Sequence, residues 1–240
     1  MIKSVLKGLL PERLKNYIKI KSGAPDQRDS LLRIKNLGFS PSVILDIGAY
    51  EGTWCKFIKE IFPRASILML EGQNSKSPIL EKVSYTYKNI SYKIALLGAE
   101  TKEVEFNIYE TASSVLKEEN ETGAETEKRT LVTLDDVLKG SNFMQPDFIK
   151  IDTQGYELEI LKGGLSCLAS AQGVLLEVSM LDIYKDSPLV YDIILFMKNH
   201  GFVLYDICSL MRRPYDKALF QSDFLFVKDN SPLRTSKRWI

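Results

Sequence analysis

Two apolar runs in this chain end in an acid and a glycine and then turn at once into a helical pattern. They are "VILDIGAYEGTW" (43–54) and "DFIKIDTQGYELEILKGG" (147–164). In the first, Trp54, Phe57, Ile58, Ile61 and Phe62 recur at helical spacing until Pro63 stops them. A third run, "SILMLEG" (66–72), ends in the same acid–glycine pair. Short unbroken apolar runs describe strands covered on both faces, and such strands belong to parallel sheets with helices on each side. The pattern continues through "ISYKIALLG", through "VEFNIY" and "RTLVTL" around a polar stretch, and through "QGVLLEVS". A helix follows, with Ser187 placed to cap it, Pro188 in its first turn, Leu189, Ile193 and Met197 on one face, and Gly201 at its end. "GFVLYDIC" and "SDFLFVKD" then stand with no helix between them, which predicts an antiparallel strand closing a mostly parallel sheet.

The rest of the chain is bounded by composition. At 240 residues and 45% hydrophobic content, one α/β domain over residues 40–230 is expected, with a helical extension at 1–39 and a basic, poorly ordered tail at 231–240. The extension places Ile2, Val5, Leu6, Leu9 and Leu10 on one face among lysines. A helix packed on the core is the expectation, and contact of residues 1–20 with an anionic membrane surface the alternative. Residues 111–130, "TASSVLKEENETGAETEKRT", are too polar for a core and read as a mobile loop. Lys and Arg total 32 against 31 for Asp and Glu, so no nucleic-acid partner is expected. Cys55, Cys167 and Cys208 are widely separated and fit reduced buried thiols of a cytoplasmic protein. No segment has the length and apolarity of a signal peptide or a membrane span.

In an open α/β sheet the ligand lies beyond the carboxyl ends of the strands, and the first strand–helix turn receives it. Gly48 and Gly52 let backbone approach there, with Ala49 and Tyr50 between them; a valine at Gly48 would be expected to fill the ligand's space. A dinucleotide fingerprint needs glycine where Tyr50 stands, so a nicotinamide-dependent oxidoreductase is the disfavoured rival. Asp46 suits the ammonium of S-adenosylmethionine, which a dinucleotide lacks. Glu71, followed by Gly72 at the end of the second strand, suits a ribose diol.

With these residues the chain resembles the FkbM family of S-adenosylmethionine-dependent methyltransferases. The likeness runs from about residue 36 to 229 through "VILDIGAYEGTW", "LMLEG", "TLDDVL", "LLEVS" and "SDFLFVKD", and "IKIDTQGYELEILKGG" is its most specific part. Gly72 departs from it, standing where many members carry proline. The resemblance implies a Rossmann-like, seven-stranded class I methyltransferase fold. It also implies methylation of a hydroxyl on a sugar, a glycan or a similar small metabolite, with S-adenosylmethionine as cofactor.

Oxygen methylation requires that a hydroxyl be positioned and relieved of its proton. Asp152, ending a buried strand, is the first candidate, with a helix cap as the plain alternative; Glu177, ending the next strand, is the second. Together they could hold a hard cation such as magnesium, although two carboxylates form no metal motif. Glu157 reads as an acid favouring its helix dipole, and His200 as a residue at a helix C-terminus remote from the chemistry. A non-catalytic module that keeps the cofactor pocket is the remaining rival.

Overall fold

The structure, a computed structural model, describes residues 23–108, 115–116, 125–182 and 187–239. In chain order the elements are α1 (Gln27–Asn36), β1 (Val43–Ile47), α2 (Thr53–Ile61), β2 (Ser66–Glu71), α3 (Ser77–Thr86), β3 (Ile90–Ile94), β4 (Leu96–Leu97), β5 (Lys102–Ile108) and β6 (Glu125–Val132). They continue as α4 (Leu134–Leu138), β7 (Phe148–Ile151), α5 (Glu157–Lys162), α6 (Leu165–Ser170), β8 (Gly173–Ser179), α7 (Val190–Asn199), β9 (Phe202–Ile207), β10 (Met211–Arg212) and β11 (Leu219–Lys228).

The main sheet runs β3-β2-β1-β7-β8-β11, with β9 and β10 also paired to β11. Its strands are parallel from β3 to β8, and β11 runs antiparallel to both β8 and β9. This is the expected mostly parallel α/β sheet. The eighth strand beyond the expected seven is β10, a two-residue return onto β11.

Side-chain alternation splits the core into two layers. Leu45, Ile47, Ile149, Ile151, Val174 and Leu176 face α4 to α7, while Ile44, Ile67, Met69, Phe148 and Leu175 face α1, α2 and α3. Helix α1 is integral to the second layer: Leu31 and Ile34 are buried in it, and Asp26 caps the helix by accepting from the Asp29 amide.

Several expectations are corrected. "VEFNIY" and "RTLVTL" do form strands, β5 and β6, but these pair with β4 in a separate three-stranded sheet. "ISYKIALLG" breaks at Ala95, whose amide donates to the Glu71 carbonyl at 2.8 Å, so Leu96 and Leu97 leave the main sheet to pair with Leu131 and Val132. The polar stretch 111–130 is strand from Glu125 onward. There the ladder sets Lys128 opposite Glu105, and the Arg129 guanidinium lies 5.9 Å from the centre of the Phe106 ring, which supports a strand without an apolar run. Helix α7 is capped by Asp192, which accepts from the Leu189 amide at 3.0 Å, and Ser187 takes no part. The tail begins packed, because the buried Ser231 accepts from the Leu233 amide and Leu233 rests on the second core layer. Residues 1–20, with their expected membrane contact, lie outside the described residues, as does most of 111–124. No helix among the described residues is long and apolar enough to cross a membrane.

Candidate functional site

A cavity of about 240 Å³ opens at the carboxyl ends of β1, β2 and β7. One wall is apolar, from Leu96, Leu97, Phe106, Val115 and Ile160, and the other carries Glu71, Asp152, Thr153 and Gln154. The small sheet supplies Phe106 and, through Asn107, also Val115: the Asn107 amide donates to the carbonyls of Val115 and Leu116 at 3.4 and 3.2 Å. Loop chain is thereby held against the cavity.

Glu71 is only 7% exposed. Its two carboxylate oxygens accept from the Tyr50 amide at 2.7 Å and the Gln73 amide at 2.9 Å. Burial raises its pKa, against the pull of those two amides. The acid lines the cavity beside an apolar slot. That set fits an adenosine group, with its diol on Glu71 and its base among Leu96, Leu97 and Phe106. Gly72 keeps the slot open, since a Cβ there would come within 2.9 Å of the Leu96 side chain.

Gly48 and Tyr50 line the cavity too. The need for glycine at 48 differs from the expected one. A Cβ on Gly48 would lie 1.8 Å from the carbonyl oxygen of Asp152, so the crossing of the first turn over the end of β7 excludes any side chain before a ligand is considered. Tyr50 holds a left-handed backbone (φ 48°), and its ring carries the Lys76 ammonium 3.7 Å from its centre. Ala49 and Gly52 are buried in the turn; neither lines the cavity, and Gly52 packs on Met69, Val83 and Leu80.

Asp46 does not reach the cavity. It is 0% exposed, and its charge partner is the Lys150 ammonium, 3.3 Å from Oδ1, so the expected pairing with a ligand ammonium gives way to an ion pair inside the protein. Burial raises the Asp46 pKa and Lys150 opposes that rise. Lys150 also stands 3.5 Å from Asp152 and donates to the Gly48 carbonyl at 3.1 Å. Burial disfavours its ammonium, yet Asp152 and Asp46, with Glu177 beyond, hold its pKa above the ordinary value.

Asp152 lines the cavity with its side chain 37% exposed. It caps no helix: Tyr156 is the N-cap residue of α5, and the Asp152 carboxylate instead accepts from the Gln154 amide at 3.2 Å. Glu177 sits behind it, outside the cavity lining. Its Oε2 accepts from both Gln154 and Gln221 at 2.9 Å, and burial lifts its pKa well above the usual range, reinforced by Asp152, Glu157 and Asp223. The Gln154 amide nitrogen thus stands between the two acids proposed as cation ligands, and no cluster of metal-binding type occurs among the described residues.

Lys150, Gln154, Gln221 and Asp223 were not anticipated, and Glu157 was read only as an acid favouring its helix dipole. Asp46, Lys150, Glu177 and Asp223 lie on neighbouring strands and face the α1–α2 layer, since each is two positions from a residue of that layer. A lysine in the middle of "FIKI" was the available signal. Gln27 of α1 closes this row, donating to Asp223 at 3.2 Å and accepting from the Trp54 indole at 2.9 Å. Glu157 does more than complement a dipole. Buried under the turn, it accepts from the Thr153 amide and hydroxyl and the Gly155 amide at 2.8, 3.2 and 3.2 Å, and burial lifts its pKa to about 7. It clamps the turn in which Gln154 has φ 55°. His200 is exposed at the end of α7, stacked on Phe196, with its Nδ1 2.8 Å from the Phe196 carbonyl.

The family model for the methyltransferase FkbM domain matches residues 46–204. No curated protein matches the chain. Among solved structures, methyltransferase FkbM from Methylobacillus flagellatus KT is 18% identical with a TM-score of 0.52, over 78% of this chain and 44% of that one. The N-terminal domain of EvdMO1, solved in the presence of SAH and D-fucose, is 16% identical with a TM-score of 0.51, over 85% of this chain and 83% of that one. At such identities the likeness is one of fold.

Proposed function

Since the chain belongs to the FkbM family of S-adenosylmethionine-dependent methyltransferases, we propose that it methylates a hydroxyl oxygen of a sugar, glycan or similar hydroxylated metabolite. Bound at Glu71, the cofactor supplies an electrophilic methyl group on a sulfonium. The chain's residues do the rest. Glu71 anchors the ribose end, the apolar wall excludes water, and Asp152 accepts a hydrogen bond from the acceptor hydroxyl and draws off its proton as the oxygen attacks.

The observation that carries the proposal is the position of Asp152. It is a partly exposed carboxylate on the cavity wall, at the end of the strand beside β1, with Lys150 and Gln154 fixing it from behind. A hydroxyl needs such an acceptor far more than a neutral amine does, because its oxygen is a weak nucleophile until its proton begins to leave, whereas an amine attacks with its free lone pair. The fold shared with a domain solved in the presence of D-fucose lends support on the side of a sugar acceptor.

Incubation with methyl-labelled S-adenosylmethionine and a panel of sugars, polyols and amines, with mass spectrometry of the products, tests the proposal. A methyl ether is the expected product. Label found only on nitrogen overturns oxygen as the nucleophile, and tight binding of S-adenosylhomocysteine with no transfer to any acceptor returns the protein to a binding module.

A further inference from the structure

We propose that Lys150 is a positioning residue. Its ammonium fixes the Asp152 carboxylate against the cofactor strand and so sets where that carboxylate stands on the cavity wall. This rests on the assignment of Asp152 to the acceptor side.

The geometry follows from the sheet. Lys150 is the direct ladder partner of Asp46 across β1 and β7, so both side chains leave the sheet on the same face. Asp152, two residues further along, projects from that face as well. The Lys150 ammonium turns toward the carboxyl ends of the strands, 3.3 Å from Asp46, 3.5 Å from Asp152 and 3.1 Å from the Gly48 carbonyl. Its contacts therefore come from β1, from the turn that follows β1, and from the acid on the cavity wall. The Trp54 ring lies 5.9 Å away and helps bury it, and Lys150 is 6% exposed. An ammonium so placed reaches no ligand in the cavity, which it does not line.

Burying an ammonium in a four-residue strand that is otherwise apolar is costly. An ion pair with Asp46 alone would hold nothing at the site, since Asp46 is sealed off. The contact with Asp152 is the one with a consequence at the cavity. Without it, the acid would remain tied only to Gln154, whose amide is shared with Glu177.

The test uses Lys150→Met and, because that change leaves Asp46 buried without a partner, the double variant Asp46→Asn/Lys150→Met. Crystal structures with S-adenosylhomocysteine should show the Asp152 carboxylate displaced by about 1 Å or more from its wild-type place, enough for a roughly 10²-fold loss in kcat. The acceptor KM should change much less, and a melting curve should confirm that the double variant is folded. An unmoved Asp152 with wild-type kcat makes Lys150 a structural ion-pair partner and overturns the proposal. If the wild type transfers no methyl to oxygen, the functional assignment fails, and the crystallographic position of Asp152 still decides the role of Lys150.

Discussion

The backbone amide of Tyr50 donates to the carboxylate of Glu71 at 2.7 Å, joining the turn after β1 to the end of β2. The same carboxylate takes the Gln73 amide at 2.9 Å. The turn after β1 and the segment after β2 therefore both depend on one acid at this end of the cavity.

Glu71→Ala should weaken S-adenosylhomocysteine binding by about 1.5 to 3 kcal/mol, the range for a hydrogen bond to a charged group. Calorimetric titration of the folded variant measures it. Unchanged affinity would remove Glu71 from the ribose site.

Gly48→Val should prevent proper folding rather than only block the ligand. The new Cβ would meet the Asp152 carbonyl at 1.8 Å, and the backbone at φ 73° already disfavours a side chain. The melting temperature should drop sharply, and saturating S-adenosylhomocysteine should not restore it. A variant that melts like the wild type and merely loses the ligand would return Gly48 to the role first expected of it.

Asp152→Asn should lower turnover by ~10² to 10⁴-fold, the usual contribution of a positioned base, while sparing cofactor affinity. Asp152 caps no helix, but its charge supports the buried Lys150 ammonium, so its loss should lower the melting temperature only by what that one pair contributes. Wild-type turnover in the asparagine variant would shift attention to another proton acceptor.

Glu157 gives the protein a pH-dependent stability. Burial raises its pKa from 4.5 in the unfolded chain to about 7 in the fold, opposed by the amides of Thr153 and Gly155. The native state therefore binds the proton more tightly, and the stability gained from holding it is lost as pH rises from about 4.5 through about 7, by up to ~3 kcal/mol. Glu157→Gln removes this titration, so the wild-type melting temperature should fall relative to the variant between pH 5 and 7.5. Parallel curves would show that Glu157 is already ionised at pH 5.

The fold was legible because its strands are short apolar runs with acids at their ends, and β1, β2, β7 and β8 all appear where such runs stand. The second sheet was not legible as a sheet. Leu96 and Leu97 read as a continuation of β3, and only the three-dimensional path after Ala95 shows that they leave it. Glu71 and Asp152 could be placed at the ligand edge because each ends a strand. Lys150 and Glu157 act through side-chain reach behind the cavity, and distance along the chain does not reveal that Glu157 folds back onto Thr153 and Gly155.

Strand β11, which brings Gln221 to Glu177 and Asp223 to Gln27, lies between β8 and β9 although it follows both in the chain. During synthesis on the ribosome, β8 must wait with an unpaired edge until some forty further residues have emerged, a non-local pairing of the kind that slows folding. Asp223, and the Gln221 amide that donates to Glu177, therefore arrive late. A nascent chain arrested before β11 would already carry Glu71, Asp152 and Lys150 and would lack the Gln221 contact to Glu177 and the Asp223 contact to Gln27, so the row behind the cavity is the last part to close.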